Sequence, residues 1–169
     1  KNQETFTQLR DYTIMCILFA TGIRRSELLN IQTIQNDWLI ITGKGNKTRS
    51  VPISASLRSV LNKYIKEREK HAVCPFLIIT KNGRKMTANG LRAIFTRLAH
   101  GTGLQGKRIS SHTWRHTYAT NFLKNGGDIL TLQKILGHED IQTTSIYLHW
   151  NDAVTAQINE RANPLNKFK

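Results

Sequence analysis

Residues 38–53 read Trp38-Leu39-Ile40-Ile41-Thr42-Gly43-Lys44-Gly45-Asn46-Lys47-Thr48-Arg49-Ser50-Val51-Pro52-Ile53. The apolar run from Trp38 to Ile41 predicts a strand, Gly43-Lys44-Gly45-Asn46 a turn, and Thr48 to Ile53 a returning strand. Outside this hairpin most apolar residues are spaced for helices, so the expected fold is mainly α with one small antiparallel β-sheet. Before it, Phe6, Leu9, Ile14, Ile17 and Leu18 follow a period near 3.6. Thr21-Gly22 interrupts that pattern, and a helix resumes with Ser26 placed as its N-cap. After it, Ser54 to Lys70 forms an amphipathic helix with Leu57, Val60, Leu61, Tyr64 and Ile65 on one side. Phe76 to Thr80 reads as a short apolar strand ending at the Asn82-Gly83 turn. Thr87 caps a helix through Leu91, Ile94, Phe95 and Leu98, and residues 101–107 form a loop. Ser110 or Ser111 caps the next helix, which Gly126-Gly127 stops. Asp128 caps another, Asp140 opens a further one, and Asn151 to Ala162 forms a terminal helix before Pro164.

The chain has 169 residues and a formal net charge of +14. That length suits one domain with an appended tail, large enough to hide roughly 70% of the surface of the unfolded chain. Hydrophobic residues make up 39%, so the charge does not signal disorder. Residues 1–84 carry +8 and residues 85–169 carry +6, so the excess runs through the fold. Between Glu69 and Asp128 there are ten Lys or Arg and no acid. Such a domain repels itself unless a polyanion neutralises it, and nucleic acid fits best. An anionic membrane fits less well, because no long basic amphipathic helix stands out.

Other classes fall away. No run of about 18 apolar residues exists, so no transmembrane helix is expected. The opening Lys1 to Arg10 does not read as a signal peptide. Cys16 and Cys74 sit among apolar neighbours and are expected as buried free thiols. Neither Glu67/Glu69 nor Glu139-Asp140 resembles the carboxylate cluster of a two-metal nuclease.

Arg24 follows a chain break at the start of a new helix, and Arg115 lies on the helix after Ser111. Arginine grips phosphate through two parallel donors and stays charged. The plainer alternatives are an Arg24–Glu27 pair at i, i+3 and a solvated Arg115. Lys44, taken alone, is a hairpin-tip lysine. His112 and His116 have a zinc-compatible i, i+4 spacing, but no third ligand is evident. His112 and Arg115 at i, i+3 suit a single anion better. His138 follows Leu136-Gly137 at a helix end, where its plain role is to complement the helix dipole. His71, His100 and His149 read as surface or packing residues. Tyr147 comes nine residues after His138. As a nucleophile it would need neighbouring cations and a base, since a free tyrosine titrates near a pKa of about 10.

Each signal is weak alone. Together, residues 20–29 (ATGIRRSELL), 43–53 (GKGNKTRSVPI), 112–120 (HTWRHTYAT), 136–138 (LGH) and 143–149 (TTSIYLH) resemble, in order, the motifs of the tyrosine recombinases, or phage-type integrases. The resemblance implies their catalytic-domain fold over residues 1–150, with residues 151–169 as a tail packing on a neighbouring protomer. It implies site-specific DNA recombination without metal or cofactor. Arg24 and Arg115 would clamp the scissile phosphate and His138 would add a hydrogen bond. Tyr147 would attack phosphorus to form a 3′-phosphotyrosyl link. Lys44 would protonate the leaving 5′ oxygen and His112 would handle the tyrosine proton. Glu27 would brace the site. Such chemistry calls for a cationic cage around a phosphodiester, with Lys and His moving protons. Arg25, Lys47, Arg49, Lys85, Arg92, Lys107 and Arg108 are expected to contact DNA. Trp114 and Tyr118 depart from the commoner Leu and Phe of the family and are expected to be packing variants.

The resemblance also implies a double-stranded recombination site as partner, a tetramer with C-terminal segments exchanged between protomers, and accessory DNA-bending proteins. The location would be the bacterial cytoplasm at the nucleoid. The family's N-terminal core-binding domain is expected to lie outside this chain, which reads as the catalytic part of a longer recombinase, of a mobile element by preference. The rival readings are a type IB topoisomerase and a non-catalytic DNA-binding relative. Relaxation of a plasmid lacking any recombination site would favour the topoisomerase.

Overall fold

Thr5 sets the start of the first helix. In the computed structural model, which describes residues 5–43, 48–101 and 110–137, the Thr5 hydroxyl accepts from the Gln8 amide at 3.3 Å while the Gln8 side chain accepts from the Thr5 amide at 2.8 Å. This reciprocal cap satisfies two amides that a helix start leaves without partners. Helix α1 (Phe6–Thr21) ends at Gly22, whose φ of 61° lies in the left-handed region that favours glycine. The chain continues as α2 (Arg25–Asn30), β1 (Thr33–Gln35), β2 (Trp38–Thr42), β3 (Thr48–Pro52), α3 (Ala55–Arg68), α4 (Ala88–Gly101), α5 (Ser111–Lys124) and α6 (Ile129–Leu136).

The hairpin expected over residues 38–53 is β2 and β3, antiparallel, with Trp38 opposite Pro52 and Thr42 opposite Thr48. A third strand joins it. Strand β1 pairs antiparallel with β2 to complete the order β1-β2-β3. Asn36 and Asp37 link β1 to β2 at φ values of 42° and 71°. Two consecutive positive φ values match the tight hairpin turn that Asn and Asp tolerate.

Three local expectations change. Helix α2 starts two residues earlier than expected, so Ser26 sits in its first turn and Arg24 is the N-cap. The capping acceptor is instead the Glu27 carboxylate, which reaches back to the Arg24 amide at 2.7 Å. Residues 76–80 form no strand beyond a single bridge, Ile79 to Lys85. Their polar groups are satisfied irregularly. The Leu77 amide donates to Ile31 O at 2.7 Å, the Arg68 guanidinium donates to Cys74 O and Phe76 O, and Thr80 pairs with Arg84. Cys16 and Cys74 are free thiols, as expected, but only half-buried.

The chain divides into two compact units between Tyr118 and Ala119. In the first, α1 packs on α3 and α2 on both β2 and α4. Its core includes Ile14, Ile17 and Leu18 from α1, Leu61 and Tyr64 from α3, and Leu39 and Ile41 from β2. Each fully buried Leu or Ile contributes about 2 kcal/mol of apolar burial. The Tyr64 hydroxyl donates to Leu77 O at 3.1 Å, and burial pushes its pKa up to about 12, so it remains a donor. Arg10 and Asp11 form a buried ion pair on α1, and Arg97 of α4 bonds the same carboxylate. In the second unit, Ala119, Leu123, Leu132, Ile135 and Leu136 are buried. Asp128 caps α6 by accepting from the Thr131 amide at 2.8 Å.

Candidate functional site

The turn after α1 places the first site residue. Gly22 bends the chain, Ile23 is buried, and Arg24 emerges at the N-cap of α2. The same glycine turn presents a carbonyl that accepts from Arg115 Nη1 at 2.9 Å. Arg115 is therefore not a solvated helix residue. It is only 6% exposed, with its head oriented by the end of α1. At the opposite end of its helix's first turn, the Ser110 hydroxyl accepts from the Thr113 amide at 3.4 Å, which selects Ser110 over Ser111 as the cap.

Arg24 makes the i, i+3 pair of its plainer reading and still reaches the surface. Its Nη1 lies 3.2 Å from Glu27 Oε1, yet its side chain stays 44% exposed. Glu27 is 3% exposed and also receives Arg49, with Nη1 at 2.5 Å from Oε1 and Nη2 at 2.9 Å from Oε2. This is the fork-to-fork geometry of a strong Arg–carboxylate pair. Burial alone would raise the Glu27 carboxyl. The hydrogen bonds from Arg49 and the Arg24 amide, with the charges of both arginines, outweigh burial and hold the carboxyl below its ordinary value. Glu27 thus fixes the N-terminus of α2 and ties it to β3.

Arg24, Arg25, Arg92, His112 and Arg115 line one cleft of about 840 Å³, with Ser110, Ser111 and Thr113 on its wall. Four arginines and no carboxylate line it among the described residues. Arg92 comes from α4, and the sequence carried no sign that it would share a cleft with Arg24. The cleft can hold a tetrahedral oxyanion by charge and by multiple N–H donors.

The structure uses Arg49 differently from the expected DNA contact. Both of its terminal nitrogens lie on Glu27 and its side chain is 17% exposed, so its fork is committed inside the protein. Lys85 is exposed and bonds Asn30 Oδ1 at 2.6 Å. Trp114 packs edge to face on Phe19, with ring centroids 6.2 Å apart. Tyr118 is half-buried, and burial raises its phenol. Lys44, Lys47, Lys107, Arg108, His138 and Tyr147 lie outside the described residues, as does the tail over 151–169.

The sequence pattern of the phage integrase family matches residues 1–153. The chain belongs to the phage integrase family. This integrase-family chain is similar to the tyrosine recombinase XerC of Alcanivorax borkumensis, 34% identical over 163 residues, which span 92% of the chain and 53% of that protein. Its fold is similar to the crystal structure of XerA recombinase, with a TM-score of 0.78 at 30% identity over 94% of the chain and 60% of XerA. It is also similar to the XerH site-specific recombinase bound to palindromic difH substrate in a post-cleavage complex. That TM-score is 0.75 at 26% identity, over 98% of the chain and 48% of XerH. The integrase-family chain spans about half the length of the curated relatives it matches. Helices with a small three-stranded antiparallel sheet are therefore the integrase catalytic-domain fold in this chain. Among the described residues no helix is long and apolar enough to cross a membrane.

Proposed function

We propose that this domain cuts and rejoins duplex DNA at a specific site through a covalent tyrosine intermediate. The observation that carries the reading is the cleft in which Arg24, His112 and Arg115 meet with no opposing carboxylate among its described lining residues. The family membership and the DNA-bound XerH neighbour support the same substrate class.

In the proposed reaction the Tyr147 oxygen attacks phosphorus and the bond to the 5′ oxygen breaks. His112 takes the tyrosine proton. Lys44 gives a proton to the leaving 5′ oxygen, and Arg24, Arg115 and His138 balance the charge on the phosphoryl oxygens. Attack by a 5′ hydroxyl of another strand reverses the step and completes exchange. The fuller reading adds a tetrameric synapse with residues 151–169 exchanged between protomers, accessory DNA-bending proteins, action in the bacterial cytoplasm, and mobile-element integration and excision.

A nicked suicide duplex, selected by binding from a random-sequence pool, tests the chemistry. The full chain is expected to form a covalent protein–DNA adduct in EDTA, and Tyr147→Phe to form none. An undiminished adduct in Tyr147→Phe would remove Tyr147 as the nucleophile.

A further inference from the structure

Two smaller hollows adjoin α2 and share lining residues with the arginine cleft or with each other. The first, about 380 Å³, shares Arg25 and Ser26 with the cleft and extends to Asn30, Lys85 and Thr87. The second, about 480 Å³, shares Asn30 and Lys85 with the first and extends to Thr42 and Phe76. The described lining residues of all three include five cations, Arg24, Arg25, Arg92, Arg115 and Lys85, and no carboxylate.

Lys85 stands where the two smaller hollows meet. Its ammonium bonds Asn30 Oδ1 at 2.6 Å and lies 3.9 Å from the centroid of the Phe76 ring. Neither partner is an acid. The ring attracts the cation through its quadrupole and the amide accepts one of three N–H donors, so the positive charge is oriented but not neutralised. A lysine otherwise loses substantial side-chain entropy when it is fixed on a ligand. Here much of that ordering is already present in the folded protein.

We infer that Lys85 is a positioning residue: it takes a backbone phosphate flanking the one held in the arginine cleft, and so sets the register of the DNA strand along α2. The inference rests on the reading of the cleft as a phosphodiester site. A single anion would need only one cage, whereas adjoining hollows that share Arg25 and Lys85 in their walls suit a chain of phosphates. The contact is to backbone, so it positions the duplex and reads no base.

The experiment measures binding of the full chain to the selected duplex with single linkages replaced by neutral methylphosphonate, and reads cleavage separately. In the wild type, several linkages besides the cleaved one are expected to weaken binding when neutralised, one of them through Lys85. Lys85→Gln, which removes the charge, is expected to be insensitive at that linkage alone, and its salt slope to shrink by about 0.9. Lys85→Arg is expected to restore sensitivity at that linkage. A purely structural lysine would leave no single linkage silent. Equal sensitivity of wild type and Lys85→Gln at every linkage, or an unchanged salt slope, overturns the inference. If adducts still form through Tyr147 in that case, the proposed function stands without it. Absence of any adduct counts against the proposed function while the linkage scan still judges Lys85.

Discussion

Glu27 receives donors from two parts of the chain on one buried carboxylate. Its oxygens accept the Arg24 amide, the Arg24 guanidinium and both terminal nitrogens of Arg49. Removing the charge leaves Arg49, mostly buried, without its counter-ion. Glu27→Gln is therefore expected to lose about 3 kcal/mol of stability in urea denaturation. The sign of the pH effect follows from the carboxyl being held below its ordinary value near 4.5. Its stabilisation is fully present above that value and is lost as pH falls through the lower folded value. The wild type should therefore lose stability on acidification through this range, and Glu27→Gln should show a flatter profile over the same pH values. The sequence suggested Glu27 as a brace and Arg24 as its neighbour at i, i+3. It held no sign of Arg49 as the second partner, because that pairing spans 22 residues and depends on how β3 lies beside α2.

Elements were legible where their signals were local. Helix α3 starts at Ala55 because the Ser54 hydroxyl accepts from the Leu57 amide at 3.3 Å. Ser54→Ala is expected to cost about 1 kcal/mol, read as a lower denaturation midpoint with the slope unchanged. Thr87 caps α4 in the same way, accepting from the Gly90 amide at 3.0 Å. The β2–β3 hairpin follows from the continuous apolar run of Trp38 to Ile41 and the glycine-rich turn sequence after it. Strand β1 is not legible in the sequence because three residues carry too little periodicity, although Asn36-Asp37 is a turn signal of the right kind. Residues 76–80 are apolar enough for a strand but join neither edge of the three-stranded sheet and pair only through the Ile79–Lys85 bridge. Arg68, Tyr64 and Ile31 met their polar groups instead. The cap of α2 lies two residues before Ser26 because a glutamate in the first turn replaces the usual hydroxyl.

At the scale of the molecule, charge and concavity coincide. The net charge of +14 predicts a polyanionic partner, and the described hollows along α2 collect five of the cations. Binding to duplex DNA is therefore expected to weaken steeply between about 50 and 200 mM salt through release of condensed counterions. A salt-independent affinity, measured by fluorescence anisotropy, would contradict a phosphate-led contact. By itself the sequence determined the family, through five ordered motifs, the helix start capped by Thr87, and the excess of positive charge. These are properties of neighbouring residues or of simple sums. Only the tertiary structure decided which cations are spent and which are offered. Arg49 turns inward to Glu27, Lys85 is held by Asn30 across 55 residues, and Arg115 is anchored on Gly22 across 93. Local pattern reports a residue's period and propensity, whereas its partner is set by packing between elements far apart in the chain.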